Sequence, residues 1–410
     1  MKKVLILCDL FPPAFGPRMG YLVKYLKMYG WQAVVVTEQV PEETFAFMAN
    51  ECEVTYVDYY KNTQSQSKRM FLFLFDFFFG RKNQLVYQAA MRQMKNHTFD
   101  VVLCSSYRSF PLGAAQRIAQ KTGLPLIVDL RDIIEQYTKY EFLSQPIPPV
   151  PLVKDWIARI LKNKMLKERN RALKKAKHVT TVSPWHVETL ARYNKNTSLI
   201  YNGYDPELFY PAPTNNDRFT ITYTGRLLSL GMRNPDLLFR AVSRLSAEGF
   251  FSPSDCRLLW YIDKDSEEIL RKEAEKYSIS SYMDFKGYIP ASEIPQVLNA
   301  ASILLLLTNS VEDGKGPRGV MTTKFFESLA VERPVLCVRS DEGCLADVIK
   351  ETNIGLAAKT EEEVYSFLKK HYLQWKETGQ TSVEVTRKKI AAFSRKEQAA
   401  QFARKLKVEN

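Results

Sequence analysis

The chain has 410 residues, 45% of them hydrophobic, enough for roughly two domains with full cores. With 58 basic against 45 acidic residues its formal net charge is +13, which favours anionic partners: nucleotides, nucleic acid or acidic lipid. Six scattered cysteines without a CxxC pair argue for reduced thiols in the cytosol rather than a disulfide framework or zinc site, and no stretch reaches the ~18 apolar residues of a membrane span.

Met1 to Asp9 reads as a buried first strand, Val4–Cys8, because its apolar run is too short for a signal peptide and Asp9 interrupts it. A loop containing Gly16 follows, then helical spacing from Met19 to Tyr29 that stops at Gly30, and a strand over Ala33–Thr37. A glycine in the first loop of such a unit suits a nucleotide or sugar phosphate, although GxGxxG is missing. Val54–Val57 is a third strand. The run 68–82 then places six Phe within Met70–Phe79, between Lys68-Arg69 and Arg81-Lys82. It fits either a helix buried under the sheet or one lying on an anionic membrane. Strands follow at Asp100–Ser106 and Leu126–Asp132. The second ends in Asp129, Arg131 and Asp132, charges that mark either a cleft or an internal ion pair. A proline-rich loop over 146–151, a basic helix from Asp155 to Lys177 and a strand at Val179–Ser183 close this half.

In the second half, Phe219–Thr224 is a strand ending in Gly225-Arg226, with Arg233 seven residues on. Two guanidinium forks around a glycine-containing loop suit a diphosphate. Strands at Arg257–Ile262 and Ile303–Leu307 lead to the stretch Gly314–Val338, with Glu312–Lys315 at its entry. Here a strand, a loop rich in Gly, Pro and Thr, a helix and the strand Val335–Val338 follow one another. The loop therefore opens onto a helix N-terminus at the carboxyl end of a strand, where open α/β sheets bind ligands and free N–H groups suit phosphate. Thr322 and Thr323 add hydroxyls and Lys324 a charge. Glu327, one turn on, is suited to accept two hydrogen bonds from a sugar diol. Phosphate donors beside a diol acceptor point to a nucleotide.

This stretch resembles the donor-binding segment of family 4 glycosyltransferases, enzymes of GT-B fold. The match lies in Glu327, in Arg333-Pro334-Val335-Leu336, and in Thr323-Lys324, which is similar to the Ser/Thr-Lys pair of one branch. A second Glu, eight positions before the first in the better-known motif, is Gly319 here. The resemblance implies that Gly16 approaches the substrates and that Asp129, Arg131 and Asp132 line the acceptor side. It further implies that Arg226 and Arg233 hold the diphosphate, and that the loop Phe285–Pro290, with Tyr288, supports the base. Asn202–Asp205 is similar to the family's interdomain crossover, and the basic helix Ser394–Lys407 to one that returns to the first domain.

The expected fold is α/β and GT-B-like, with two doubly wound Rossmann-like domains facing a cleft: residues 1–203, joined by 386–410, and residues 204–385. The expected activity is retaining transfer of a sugar, of hexosyltransferase type, from a nucleotide-diphosphate sugar to a glycan or lipid-linked acceptor. Bacterial cell-surface polysaccharide synthesis, in the cytoplasm or at the inner face of the plasma membrane, is its expected setting. Arg226, Lys324 and Glu327 would carry catalysis. Gly16, Gly225, Arg233, Tyr288, Gly319, Val320, Met321, Thr322 and Thr323 would bind the donor. No cofactor or metal is expected, and no nucleic acid. A nucleotide-sugar epimerase and a non-catalytic nucleotide-sugar-binding protein are the alternatives, since fold alone does not set function.

Overall fold

The computed structural model describes residues 1–407 except 49–50, 62, 64, 138–141, 143–150, 215, 228, 309–318 and 339–342, and leaves out the side chains of 151–153. The expected loop at 146–150, the residues Glu312–Lys315 and the opening of the Gly314–Val338 stretch lie outside the described residues. The chain divides into two compact units, Met1–Tyr201 with Arg395–Asn410, and Asn202–Ser394.

The first unit begins with β1 (Lys2–Cys8), α1 (Pro17–Leu26), β2 (Trp31–Glu38) and β3 (Glu53–Val57). Next come α2 (Gln66–Phe79), α3 (Arg81–Asn96), β4 (Val101–Ser106), α4 (Leu112–Thr122) and β5 (Leu126–Leu130). It continues through α5 (Pro151–Lys175), β6 (His178–Thr181), α6 (Pro184–Ala191) and β7 (Thr197–Leu199). Among the described residues its sheet has seven parallel strands in the order β3-β2-β1-β4-β5-β6-β7. The strand order reverses between β1 and β4, and their apolar runs Val4–Cys8 and Val101–Cys104 are fully buried, as helices on both faces of a parallel sheet require.

The second unit holds β8 (Phe219–Thr224), α7 (Asp236–Ala247), β9 (Cys256–Tyr261), α8 (Lys264–Lys276), β10 (Met283–Phe285) and α9 (Ile294–Asn299). It goes on with β11 (Ile303–Leu307), α10 (Thr323–Ala330), β12 (Val335–Val338), α11 (Cys344–Thr352), β13 (Gly355–Ala358), α12 (Glu361–Thr378) and α13 (Arg387–Ala391). Its six strands are also parallel, ordered β10-β9-β8-β11-β12-β13, with the reversal between β8 and β11. The ladder across that reversal is short, Ile303↔Ile221 and Leu304↔Thr222, so the carboxyl halves of β8 and β11 are not paired with each other.

Helix α14 (Arg395–Leu406) returns to the first unit, as the resemblance implied, and packs on α1. Arg18 of α1 lies 5.2 Å over the Phe402 ring, Arg395 lies 5.3 Å over Tyr21, and Gln398 donates to the Tyr201 carbonyl at 2.9 Å.

The Phe-rich run forms α2, and its two faces differ. Phe73 and Phe77 pack on a cluster of Ile134, Phe142, Ala158 and Leu161. Phe71, Leu74, Phe75, Phe78 and Phe79 point outward and are exposed. Neither a wholly buried nor a wholly exposed helix describes it. Lys82, expected to flank the run as a surface charge, is turned inward instead and pairs with Glu38 at 2.7 Å.

Candidate active site

At the carboxyl end of β8 the backbone turns at Gly225, whose φ of +114° lies in a region that L side chains rarely adopt. A Cβ built there would stand 1.6 Å from Lys324 Nζ, so the lysine of α10 lies directly across this peptide. Its ammonium is also 5.2 Å from the ring centroid of Tyr223 on β8. Lys324 thus reaches back from α10 to β8 across the point where the strand order reverses.

Two arginines share this place. Arg233 donates to the Arg226 carbonyl and, at 3.4 Å, to the Tyr223 hydroxyl, which itself donates to the same carbonyl at 2.8 Å. Arg226 is largely exposed. Its Nε lies 3.4 Å from Asp263 and its guanidinium 5.9 Å from the Tyr288 ring, which is exposed as well. Burial, then the positive charge of Arg233, pulls Lys324 down to about 7. Glu327 opposes this and Arg226 adds to it. Three cations meet here with the carboxylates of Asp263 and Glu327, so the place carries a net positive charge and suits an anion.

The start of α10 supplies the remaining predicted residues. Thr322 is its N-cap and Thr323 its first residue, both half-buried, and the Thr322 side chain accepts no capping hydrogen bond. Gly319 and Met321 are buried and Val320 half-buried. Gly319 has φ +66°, a conformation that disfavours glutamate, so the departure from the better-known motif has a backbone reason. Glu327 is half-buried one turn behind Lys324.

Three residues that no sequence motif singles out also build this site. Asp263 caps α8 by accepting from Ser266 N–H at 2.8 Å, and the capping bond holds its carboxyl below the usual carboxylate range. Ser266 accepts from Leu227 N–H at 2.9 Å, pinning the loop after Gly225. Tyr223 braces both Arg233 and Lys324. In the sequence, an Asp directly after an apolar strand, with Ser three residues on, marks only a helix N-terminus.

In the first unit the expected acceptor-side residues part company. Asp129 is fully buried. It takes Arg18 on both carboxylate oxygens, at 2.8 and 2.9 Å, and also accepts from Ser105 and Thr180. Burial alone would raise its carboxyl, but Arg18 and the two hydroxyls outweigh that and lower it. Asp129 therefore realises the internal ion pair rather than a cleft charge. Arg131 pairs with Asp9 at the end of β1. Asp132 is half-buried, accepts from Gln136 at 2.8 Å, and is pushed up to about 6, chiefly by burial. Beside them the Tyr107 and Tyr137 hydroxyls are hydrogen-bonded, and Tyr107 N–H donates to Asp9 at 3.2 Å. Gly16 is buried, and a Cβ there would meet Phe11 Cα at 2.7 Å, so closure of its own loop already accounts for this glycine.

The chain matches the Glycosyl transferase 4-like domain over residues 15–203 and the Glycosyl transferases group 1 over residues 206–376. These two matches span most of its length, and the chain belongs to the glycosyltransferases of GT-B fold. No curated protein matches it by sequence. Among solved structures it is similar to HepE of Anabaena, in complex with UDP and glucose, with a TM-score of 0.65 and 15% identity over 99% of both chains. Sucrose-phosphate synthase from Thermosynechococcus elongatus has a TM-score of 0.63 and 14% identity over 98% of both chains. A glycosyltransferase from Rickettsia africae has 0.60 and 15%, over 99% of this chain and 98% of that one. At these identities the likeness is one of fold.

Proposed function

We propose that the chain transfers a hexose, with retention of configuration, from a nucleotide-diphosphate sugar to a glycan or lipid-linked acceptor in cell-surface polysaccharide synthesis. The observation that carries this reading is the convergence of Arg226, Arg233 and Lys324 on the Gly225 turn, where β8 and β11 separate. The UDP and glucose in HepE, a protein of the same fold, agree with a nucleotide-sugar donor.

The chemistry follows from charge. As the glycosidic bond breaks, negative charge grows on the leaving diphosphate. Cations already fixed around its position stabilise that charge without reorganising. Arg226 and Arg233 offer planar forks, and Lys324 a compact charge. Glu327 accepts from the ribose hydroxyls, and the exposed ring of Tyr288 stacks on the base. In this reading the departing phosphate takes the acceptor proton as the acceptor attacks from the same face, so no protein nucleophile is required. Arg131 and Asp132 contact the acceptor, while Asp129 holds the strand that presents them.

The test is turnover. The chain is incubated with a panel of UDP-, GDP- and ADP-hexoses and with bacterial glycan and lipid-phosphate acceptors, and the anomeric configuration of any product is read by NMR. A product with inverted configuration would overturn the retaining mechanism. Isomerised nucleotide sugar formed without acceptor would favour an epimerase.

A further inference from the structure

The outward residues of α2 follow one another at Phe71, Leu74, Phe75, Phe78 and Phe79, the spacing of a single helical stripe. Phe71 and Phe75 are stacked at 6.2 Å between ring centroids, and Phe75 and Phe79 stand at 4.7 Å. Phe78 and Phe79 are 71% and 72% exposed. The inner face of the helix is already satisfied through Phe73 and Phe77, so the stripe is not an unfinished core contact. Helix α5 packs on the same cluster through Ala158 and Leu161, and its Trp156, 65% exposed, and Ile160 are left in water. An aromatic stripe of this length left in water is unfavourable and marks a surface that something covers.

The surrounding charge indicates what covers it. Lys68 and Arg69 at the start of α2, Arg81 just after it, and Arg159 and Lys164 on α5 are exposed, with Lys164 Nζ 4.0 Å from the Phe77 ring. Of the nearby carboxylates, Asp76 accepts from Lys82 N–H at 2.6 Å and Glu168 from Asn83 at 3.3 Å, while Asp155 is exposed. The margin of the aromatic stripe is therefore strongly cationic. Apolar bulk within a cationic margin matches a bilayer with anionic headgroups: the rings enter the acyl boundary and the long side chains reach the phosphates. Among the described residues no helix is long and apolar enough to cross a membrane, so the face lies on the bilayer rather than through it.

We infer that the outward face of α2, joined by Trp156 and Ile160 of α5, docks on an anionic lipid bilayer. Ile134, fully buried in the cluster beneath α2, follows Asp132 by two residues, so the docking face lies on the same side of the first unit as the loop after β5.

The test uses the full chain with vesicles of phosphatidylcholine alone or with one quarter phosphatidylglycerol, without donor or acceptor. Failure here leaves the transferase reading untouched. Wild type sediments with the anionic vesicles several-fold more than with neutral ones, and 0.5 M salt releases it. Phe78→Asp with Phe79→Asp abolishes sedimentation at unchanged Tm, because both rings are outside the core. In wild type, brominated lipid quenches tryptophan fluorescence, and Trp156→Phe removes most of that quenching. The inference is overturned if wild type ignores anionic vesicles at low salt, or if Trp156→Phe leaves the quenching intact. It is also overturned if the chain is a dimer in solution that the Phe78/Phe79 variant converts to monomer, since a second copy would then cover the face.

Discussion

Lys324 Nζ lies where the side chain of residue 225 would begin, 1.6 Å from the Cβ that Gly225 lacks. The glycine thus serves two ends, a positive φ at the strand exit and an unobstructed seat for the lysine. Gly225→Ala strains the turn and displaces the ammonium. It should cost at least about 1 kcal/mol of stability. It should also weaken nucleoside diphosphate binding, and Lys324→Ala in the same chain should then add less than it does alone. Calorimetry on the four proteins measures this. Additive losses would mean that the two residues act separately.

The low pKa of Lys324 gives the site a pH dependence of definite sign. With a value of about 7, pressed down by burial and by Arg233, the lysine is mostly neutral at pH 8 in the free protein. A bound diphosphate favours the charged form and raises its pKa. Binding of a nucleotide sugar should therefore take up a proton at pH 8, with affinity falling as pH rises above 7. The folded chain, holding this lysine below its unfolded value, should gain stability as pH climbs from about 7 towards 10.5. Titrations in two buffers of different ionisation heat count the proton. Lys324→Met should abolish the uptake; uptake that persists in this variant would place the titrating group elsewhere.

Glu327 sits half-buried behind Lys324 and is assigned the ribose. Glu327→Gln should weaken binding of a nucleoside diphosphate, and weaken its 2′,3′-dideoxy analogue much less. Equal losses for both ligands would make Glu327 a positioning residue for Lys324.

The buried pair Arg18–Asp129 makes a prediction about folding rather than binding. Asp129→Ala leaves a guanidinium uncompensated in the interior and should cost about 3–5 kcal/mol. Because the Asp129 carboxyl is held below its unfolded value, the stability it contributes is present above about pH 4 and lost as pH falls through the folded value. Asp132→Asn, at a half-buried position, should leave the denaturation midpoint near that of wild type. Urea denaturation of both variants checks the contrast, and equal midpoints would contradict it.

Much of this architecture was legible because strands buried on both faces announce themselves as unbroken apolar runs: Val4–Cys8, Val101–Cys104 and Ile303–Leu307. The short strands β7, β10 and β13 were not legible. They have three or four residues, carry Thr, Ser, Asp or Gly, and are only partly buried, so no periodicity survives. In the site, Arg226 and Lys324 stood out by their place beside strand ends. Asp263 and Ser266 show in the sequence only as a helix cap, and Tyr223 only as a strand residue; what ties them to the site, Asp263 to Arg226, Ser266 to Leu227 and Tyr223 to Lys324, is set by packing at long sequence separation. The fate of Asp129 was undecidable for the same reason: its partner Arg18 is 111 residues away. For α2, six Phe signalled an apolar helix, but only the fold shows which of them face α5.

The affinity of the Arg226–Arg233–Lys324 cluster for a diphosphate is the most direct measure of a donor site at the Gly225 turn. Isothermal titration of UDP, GDP and ADP into wild type, Arg226→Ala and Lys324→Ala at pH 7 measures it. One nucleotide should bind wild type, and each variant should lose about 1.5–3 kcal/mol, roughly 10- to 150-fold in Kd, at unchanged Tm or, for Lys324→Ala, a raised one. Binding of equal strength in all three proteins, or binding of none of the nucleotides by wild type, would contradict it.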